Sequence, residues 1–204
     1  MPKHHRIGLI MATYIEAKPF VEKINWLGSE KKPFPVYYGN RVILVVSGMG
    51  KANAAAACAW LCVRESVKSI VNMGAAGANQ QGLPLGGIHH ISEALETDRR
   101  HFQTNAPFCH KPSVMEGFST LRLATREEAV IDPDQRRQTA AIAELSDMEG
   151  AAVVQTANKF EIPCFLFKFV SDTPEDTQGS RIVANIRQYR DLNFDFFTQT
   201  LMAP

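Results

Sequence analysis

Three carboxylates stand where apolar runs end. Glu16 follows the run Ile7–Ala12, Asp172 closes Cys164–Asp172, and Glu149 opens an Ala-rich stretch behind Asp147-Met148. In α/β sheets chemistry gathers just beyond the carboxyl ends of strands, and a carboxylate held there can give or take a proton. The same residue type also caps helices, so position alone leaves both roles open for each. Ser47-Gly48-Met49-Gly50-Lys51 is a glycine turn that feeds a helix. A phosphate loop needs glycine where Val45 stands and Ser or Thr where Ala52 stands, and a dinucleotide fingerprint needs its third glycine at Asn53. What remains is a helix N-terminus suited to an anion or a hydroxyl. Gly74-Ala75-Ala76-Gly77-Ala78 reads as a tight loop after a strand, explained equally well by close packing. His89 and His90 are consecutive in a strand and must face opposite ways, so they cannot share one site.

The elements that position these residues alternate. Arg6–Ala12 suits a buried parallel strand, and Glu16–Trp26 a helix. The segment 35–48 reads as two strands about a Gly39-Asn40 turn. Lys51–Arg64 is an Ala-rich helix, Ser69–Met73 a strand, and Gly86–Ser92 another. Thr97–Phe118, with Pro107 and Pro112, has no clean period and reads as a surface excursion. Ser119–Thr125 resumes the sheet, Ala140–Leu145 reads as a short strand, Glu149–Phe160 as a helix, and Cys164–Asp172 as a strand. Ile182, Ile186, Tyr189, Phe196 and Leu201 follow helical spacing. The pattern predicts an α/β fold, three layers deep, with a mixed, largely parallel central sheet.

Length and composition narrow the partners. The 204 residues carry 22 Lys+Arg against 21 Asp+Glu, a net charge of +1, and 45% are apolar. One domain spanning 1–204 is expected at this length, with core enough to need no staple. The even charge argues against a nucleic-acid partner. No run approaches the ~20 apolar residues of a membrane helix, and no signal segment is visible. Cys58, Cys62, Cys109 and Cys164 form no CxxC pair. Cys58 and Cys62 read as small helix-buried thiols rather than half of a zinc site with His101 or His110. The expectation is a cytoplasmic protein with a small-molecule partner.

Taken in order, Ile7–Ala17, Val45–Ala57, Ile70–Ala78, Gly86–Ala94, Asp147–Val153 and Lys168–Asp172 resemble the purine nucleoside phosphorylase/uridine phosphorylase superfamily. The likeness is greatest to its methylthioadenosine/S-adenosylhomocysteine nucleosidase branch. It spans most of the chain, from residue 7 to about 176.

The resemblance implies an enzyme that cleaves the N-glycosidic bond of a 5′-modified purine nucleoside. It implies no metal or organic cofactor, and a homodimer or higher homo-oligomer. Such cleavage passes through an oxocarbenium-like sugar while charge builds on the departing base. Asp172 matches the family's general acid, expected to be desolvated and protonated near neutral pH, with Ser171 orienting it. Glu149 matches the clamp on the ribose hydroxyls, with Met148 packed on the sugar. Glu16 matches the base that activates water. Ala75 and Gly77 lie in the glycine segment that borders the substrate. Val130, or Ala129, falls where an aromatic residue usually stacks on the base.

Several positions depart from the pattern. Ala75 replaces a serine, Lys168 an arginine and Gly87 an aspartate, and the stretch from Asp98 to Ser119 is short. The base and 5′-substituent pockets are therefore the least defined. Phosphorylases of the superfamily hold phosphate near the first loop with glycine and arginine, whereas Thr13-Tyr14-Ile15-Glu16 offers a repelling carboxylate. Water is thus the expected nucleophile. The rivals are a phosphorylase using Lys51, Arg99 or Arg100, a futalosine hydrolase-like enzyme, and a nucleoside-binding protein with little turnover. Phe194, Phe196 and Phe197 suit either an oligomer interface or the core.

Overall fold

The computed structural model describes residues 6–175 and 178–202; residues 1–5, 176–177 and 203–204 lie outside them. The chain opens with β1 (Arg6–Met11), α1 (Tyr14–Lys23), β2 (Gly28–Glu30), β3 (Val36–Tyr38), β4 (Val42–Val46) and α2 (Lys51–Arg64). β5 (Val67–Ala78), β6 (Ile88–Arg100), β7 (Pro107–His110), β8 (Thr120–Thr125) and α3 (Pro133–Ala140) come next. β9 (Leu145–Asp147), α4 (Gly150–Lys159), β10 (Cys164–Asp172), α5 (Gly179–Phe196) and a π-helical turn (Phe197–Leu201) complete it.

β1 is the centre of one half, parallel to both β4 and β5. β10 runs parallel to β5 along most of its length. The far end of β5 pairs with β9, β9 with β8, β8 with β6, and β6 returns to β10. The sheet therefore closes on itself through β5, β9, β8, β6 and β10. The expected mixed, largely parallel α/β architecture is what the chain forms.

Consecutive residues in the central strands are buried on alternate faces, which is why they read as unbroken apolar runs. Leu9 and Met11 join Phe20, Val71 and Phe167 on one face, while Ile10 joins Ile43, Ala54, Leu61 and Val153 on the other. α1 and α5 cover the first face and α2 and α4 the second. Phe194 and Phe196 pack on the first core and Phe197 is buried in it, with Phe20 against Phe194. Phe197 is thus core, while Phe194 and Phe196 are partly buried against it. His90 is buried, its ring stacked on Phe167 at 4.3 Å.

Four sequence expectations are corrected. Gly74–Ala78 is not a loop: β5 continues through it, because residues this small let one strand pass between crowded neighbours. The stretch 97–118 is not wholly irregular, since β6 runs to Arg100 and β7 pairs back onto it. Ala140–Leu145 is not a strand. Asp132 accepts from the Gln135 amide at 2.9 Å, Pro133 sits in the first turn, and α3 runs to Ala140, so β9 starts only at Leu145. The first helix begins at Tyr14 and ends at Lys23, three residues short of Trp26.

Candidate active site

Beyond the ends of β1, β5 and β10 lies a cavity of about 360 Å³. Glu16, Glu149 and Asp172 all line it, together with Ala75, Gly77, Val130, Met148 and Ser171. Every site residue picked out from the sequence is thus at one cavity. Ala129 also lines it, so no aromatic ring stands at either candidate stacking position.

Glu16 is buried in the first turn of α1, where it completes a capping box with Thr13. The Thr13 amide and hydroxyl donate to its Oε2 at 2.9 and 2.6 Å. Its Oε1 accepts from the Ala75 amide of β5 at 2.8 Å. The cap role and the site role therefore coexist. The carboxylate is held from both sides, and a side chain at Gly74 would put Cβ 2.6 Å from Oε1.

Glu149 is the residue before α4, yet its side chain makes no cap there. It crosses to accept from the Gly50 amide at 2.9 Å. Gly48 and Gly50 have φ of 89° and 95°, the left-handed region that glycine tolerates, and this turn aims Gly50 N–H at Glu149. Next to it the Lys51 amide donates to Glu127 Oε2 at 3.0 Å. The anion site expected at this helix start is filled by the chain's own carboxylates. Burial first, and then the charge of Asp147, push the Glu149 carboxyl up to about 7.

Asp147 itself is paired with Lys168 at 2.8 Å, and both side chains are only 1% exposed. Thr125 Oγ1 and the Gly150 amide also donate to Asp147, at 2.6 and 2.7 Å. Burial alone would lower the Lys168 ammonium, but Asp147 and Glu149 outweigh it and hold it above its ordinary value.

Asp172 ends β10, with the Ser171 hydroxyl donating to Oδ1 at 2.6 Å. Its desolvation is as expected, but its partner is not: the guanidinium of Arg136 donates to Oδ2 at 2.5 Å. Arg136, 2% exposed in α3, also donates to the carbonyls of Val130 and Ala78, each at 2.6 Å. The acid is thus met by a buried cation, not left alone in an apolar pocket. Sequence reasoning missed Arg136: the Asp132-Pro133 helix start announces α3, but nothing in it turns Arg136 inward.

The residues that could have held phosphate are committed elsewhere. Lys51 pairs with Asp98 at 2.6 Å and Arg99 with Glu96 at 2.5 Å, while Arg100 donates to the Asn105 carbonyl at 2.9 Å. None of the three lines the cavity.

The family model described as "Phosphorylase superfamily" matches residues 6–143. A 5′-methylthioadenosine/S-adenosylhomocysteine nucleosidase of Listeria welshimeri is 27% identical, the match covering 81% of this chain and 85% of that protein. Among solved structures, futalosine hydrolase of Helicobacter pylori superposes with a TM-score of 0.86 at 16% identity, over 97% of both chains. The H. pylori 5′-methylthioadenosine/S-adenosylhomocysteine nucleosidase with butyl-thio-DADMe-Immucillin-A gives 0.85 at 16%, over 98% of both.

Proposed function

Since the chain belongs to the phosphorylase superfamily, we propose that it is an N-glycosyl hydrolase acting on a 5′-modified purine nucleoside of the methylthioadenosine/S-adenosylhomocysteine kind. The observation that carries this reading is the convergence of Glu16, Glu149 and Asp172, all buried, on one cavity. Each faces a different part of the reaction.

Glu16, held as an acceptor by Thr13 and Ala75, takes a proton from the attacking water. Glu149 accepts the ribose hydroxyls, and Met148 packs beside the sugar. Asp172, once it has taken up a proton, supplies it to the departing base and returns to its ion pair with Arg136, so it is recharged with a proton before each turnover. Water as the nucleophile is supported by the ion pairs that absorb Lys51 and Arg99, and by the two carboxylates on the α2 amides. A phosphate dianion would meet negative charge there.

We place the protein in the cytoplasm as a homo-oligomer on the strength of the family resemblance; its four free cysteines fit a reducing compartment. No helix among the described residues is long and apolar enough to cross a membrane. The test is base release, followed by chromatography, from methylthioadenosine, S-adenosylhomocysteine, 5′-deoxyadenosine, adenosine, inosine and futalosine. Release from a 5′-modified member without added phosphate is expected. Tight binding with no release from any member would make this a nucleoside-binding protein instead.

A further inference from the structure

We infer that Lys168 is a positioning residue for the proposed reaction, acting on Glu149 through Asp147. The inference rests on the nucleosidase reading and deepens it. Among the described residues, four carboxylates line the cavity, Glu16, Asp147, Glu149 and Asp172, against a single arginine, Arg136. Arg136 belongs to Asp172. Lys168 stands outside that lining, yet its ammonium lies 2.8 Å from Asp147 Oδ2, with both side chains 1% exposed. Breaking a buried pair leaves a charge without its partner, so neither member is dispensable alone.

Asp147 does the capping that Glu149 does not. Its Oδ2 accepts from the Gly150 amide at 2.7 Å. Its Oδ1 accepts from Thr125 Oγ1 at 2.6 Å, and that oxygen accepts from the Ala151 amide at 3.0 Å. The start of α4 is thereby occupied, and Glu149 turns away to the Gly50 amide. Two carboxylates two residues apart now share one buried site, where like charges oppose ionisation. Burial, Asp147 and Glu16 push the Glu149 carboxyl up, while Lys168 and the Gly50 amide draw it down. The other charges nearby are the Asp172–Arg136 pair and Glu127 on the α2 start. Without Lys168, a proton goes to Glu149: it has one donor in Gly50, whereas Asp147 keeps Thr125 and Gly150. A protonated Glu149 is a poor acceptor for ribose hydroxyls, so the buried lysine keeps the clamp ready.

The test is the titration of Glu149, read by NMR with carbon-13 in the glutamate carboxyls and Glu149→Gln identifying the signal. kcat/KM for methylthioadenosine is measured against pH beside it. Lys168→Met should move the midpoint, and the acid limb of kcat/KM with it, up by about one pH unit or more. Asp147→Asn, which leaves the ammonium uncancelled, should move both down. The Lys168→Met/Asp147→Asn double variant should return them near the wild-type position, because residues in contact act as a unit. Lys168→Gln, neutral but still a donor to Asp147, should also move them up and decides the matter if Lys168→Met does not fold. A lysine that only braced the fold would lower Tm and leave the midpoint in place. An unmoved midpoint in a folded variant, or shifts of one sign in both single variants, overturns the inference. If no nucleoside is cleaved, the nucleosidase reading falls and the titration alone decides. Opposed shifts then sustain the hold of Lys168 on Glu149, and an unmoved midpoint ends it.

Discussion

The amide of Gly50 donates to Glu149 Oε1 at 2.9 Å, so the carboxylate that precedes α4 caps α2, ninety-nine positions away in the chain. One contact thereby fixes the proposed ribose clamp and fills the helix start where a phosphate would otherwise sit. It also explains why Glu149 stays buried beside Asp147 without collapsing onto its own helix.

That placement predicts a pH profile. Only the ionised carboxylate can accept from two ribose hydroxyls, and burial with the Asp147 charge raises the Glu149 carboxyl to about 7. kcat/KM should therefore climb as pH rises through about 7, and Glu149→Gln should remove that limb while raising KM. For stability the sign is opposite. A carboxyl raised in the folded state contributes fully below its unfolded value, 4.5, and the contribution is lost as pH rises through about 7. A flat kcat/KM between about pH 6 and 8 would contradict the assignment.

Asp172→Asn should lower turnover by about 10²–10⁴-fold, the usual worth of a placed proton donor. The sequence alone suggests that this change spares the fold. The Arg136 partnership predicts otherwise, because the substitution strands a buried guanidinium at a cost of about 3–5 kcal/mol. Melting by circular dichroism should show a lower Tm for Asp172→Asn and recovery in the Asp172→Asn/Arg136→Met double variant. An unchanged Tm in the single variant would remove the ion pair from the account.

Much of this was legible because it is local. Glu16, Glu149 and Asp172 each stand at the edge of an apolar run, and the strands around them are unbroken runs since both faces are covered. Arg136 was not legible: its partner lies thirty-six residues on, and Arg136-Arg137 in a polar stretch looks solvated. The full length of β5 was hidden for the opposite reason. Its glycines and alanines imitate a loop, whereas the strand needs them small so that Glu16 and Asp172 can approach its backbone. The Lys168–Asp147 pair joins β9 and β10, consecutive strands that do not pair in the sheet, and no spacing rule announces it.

Gly74→Ala isolates the placement of Glu16. The new Cβ would stand 2.6 Å from Oε1, and the backbone φ at this position requires no glycine. Glu16 must move, at a cost of about 10²-fold in kcat from a misplacement on the order of 1 Å, with the far-ultraviolet spectrum preserved. A fully active Gly74→Ala enzyme would show that Glu16 does not need this position.

His90 gives a stability prediction apart from the site. Its Nε2 faces the Met115 amide at 3.0 Å, so that nitrogen accepts and Nδ1 donates to Leu166 O at 2.8 Å. Burial holds the imidazole below its ordinary value of 6.5. The contribution of the neutral ring is present above about 6.5 and lost as pH falls through the lower folded value. Urea midpoints should drop on the acid side, and less steeply in His90→Gln. Equal slopes for the two proteins would remove His90 as a source of the effect.

The claim at the centre is that water attacks the sugar. Cleavage run in oxygen-18 water, with phosphate present, and read by mass spectrometry of the sugar product tests it most directly. The account predicts a free sugar carrying one heavy oxygen at the anomeric carbon. An unlabelled sugar phosphate would contradict it and take Glu16 out of its proposed role.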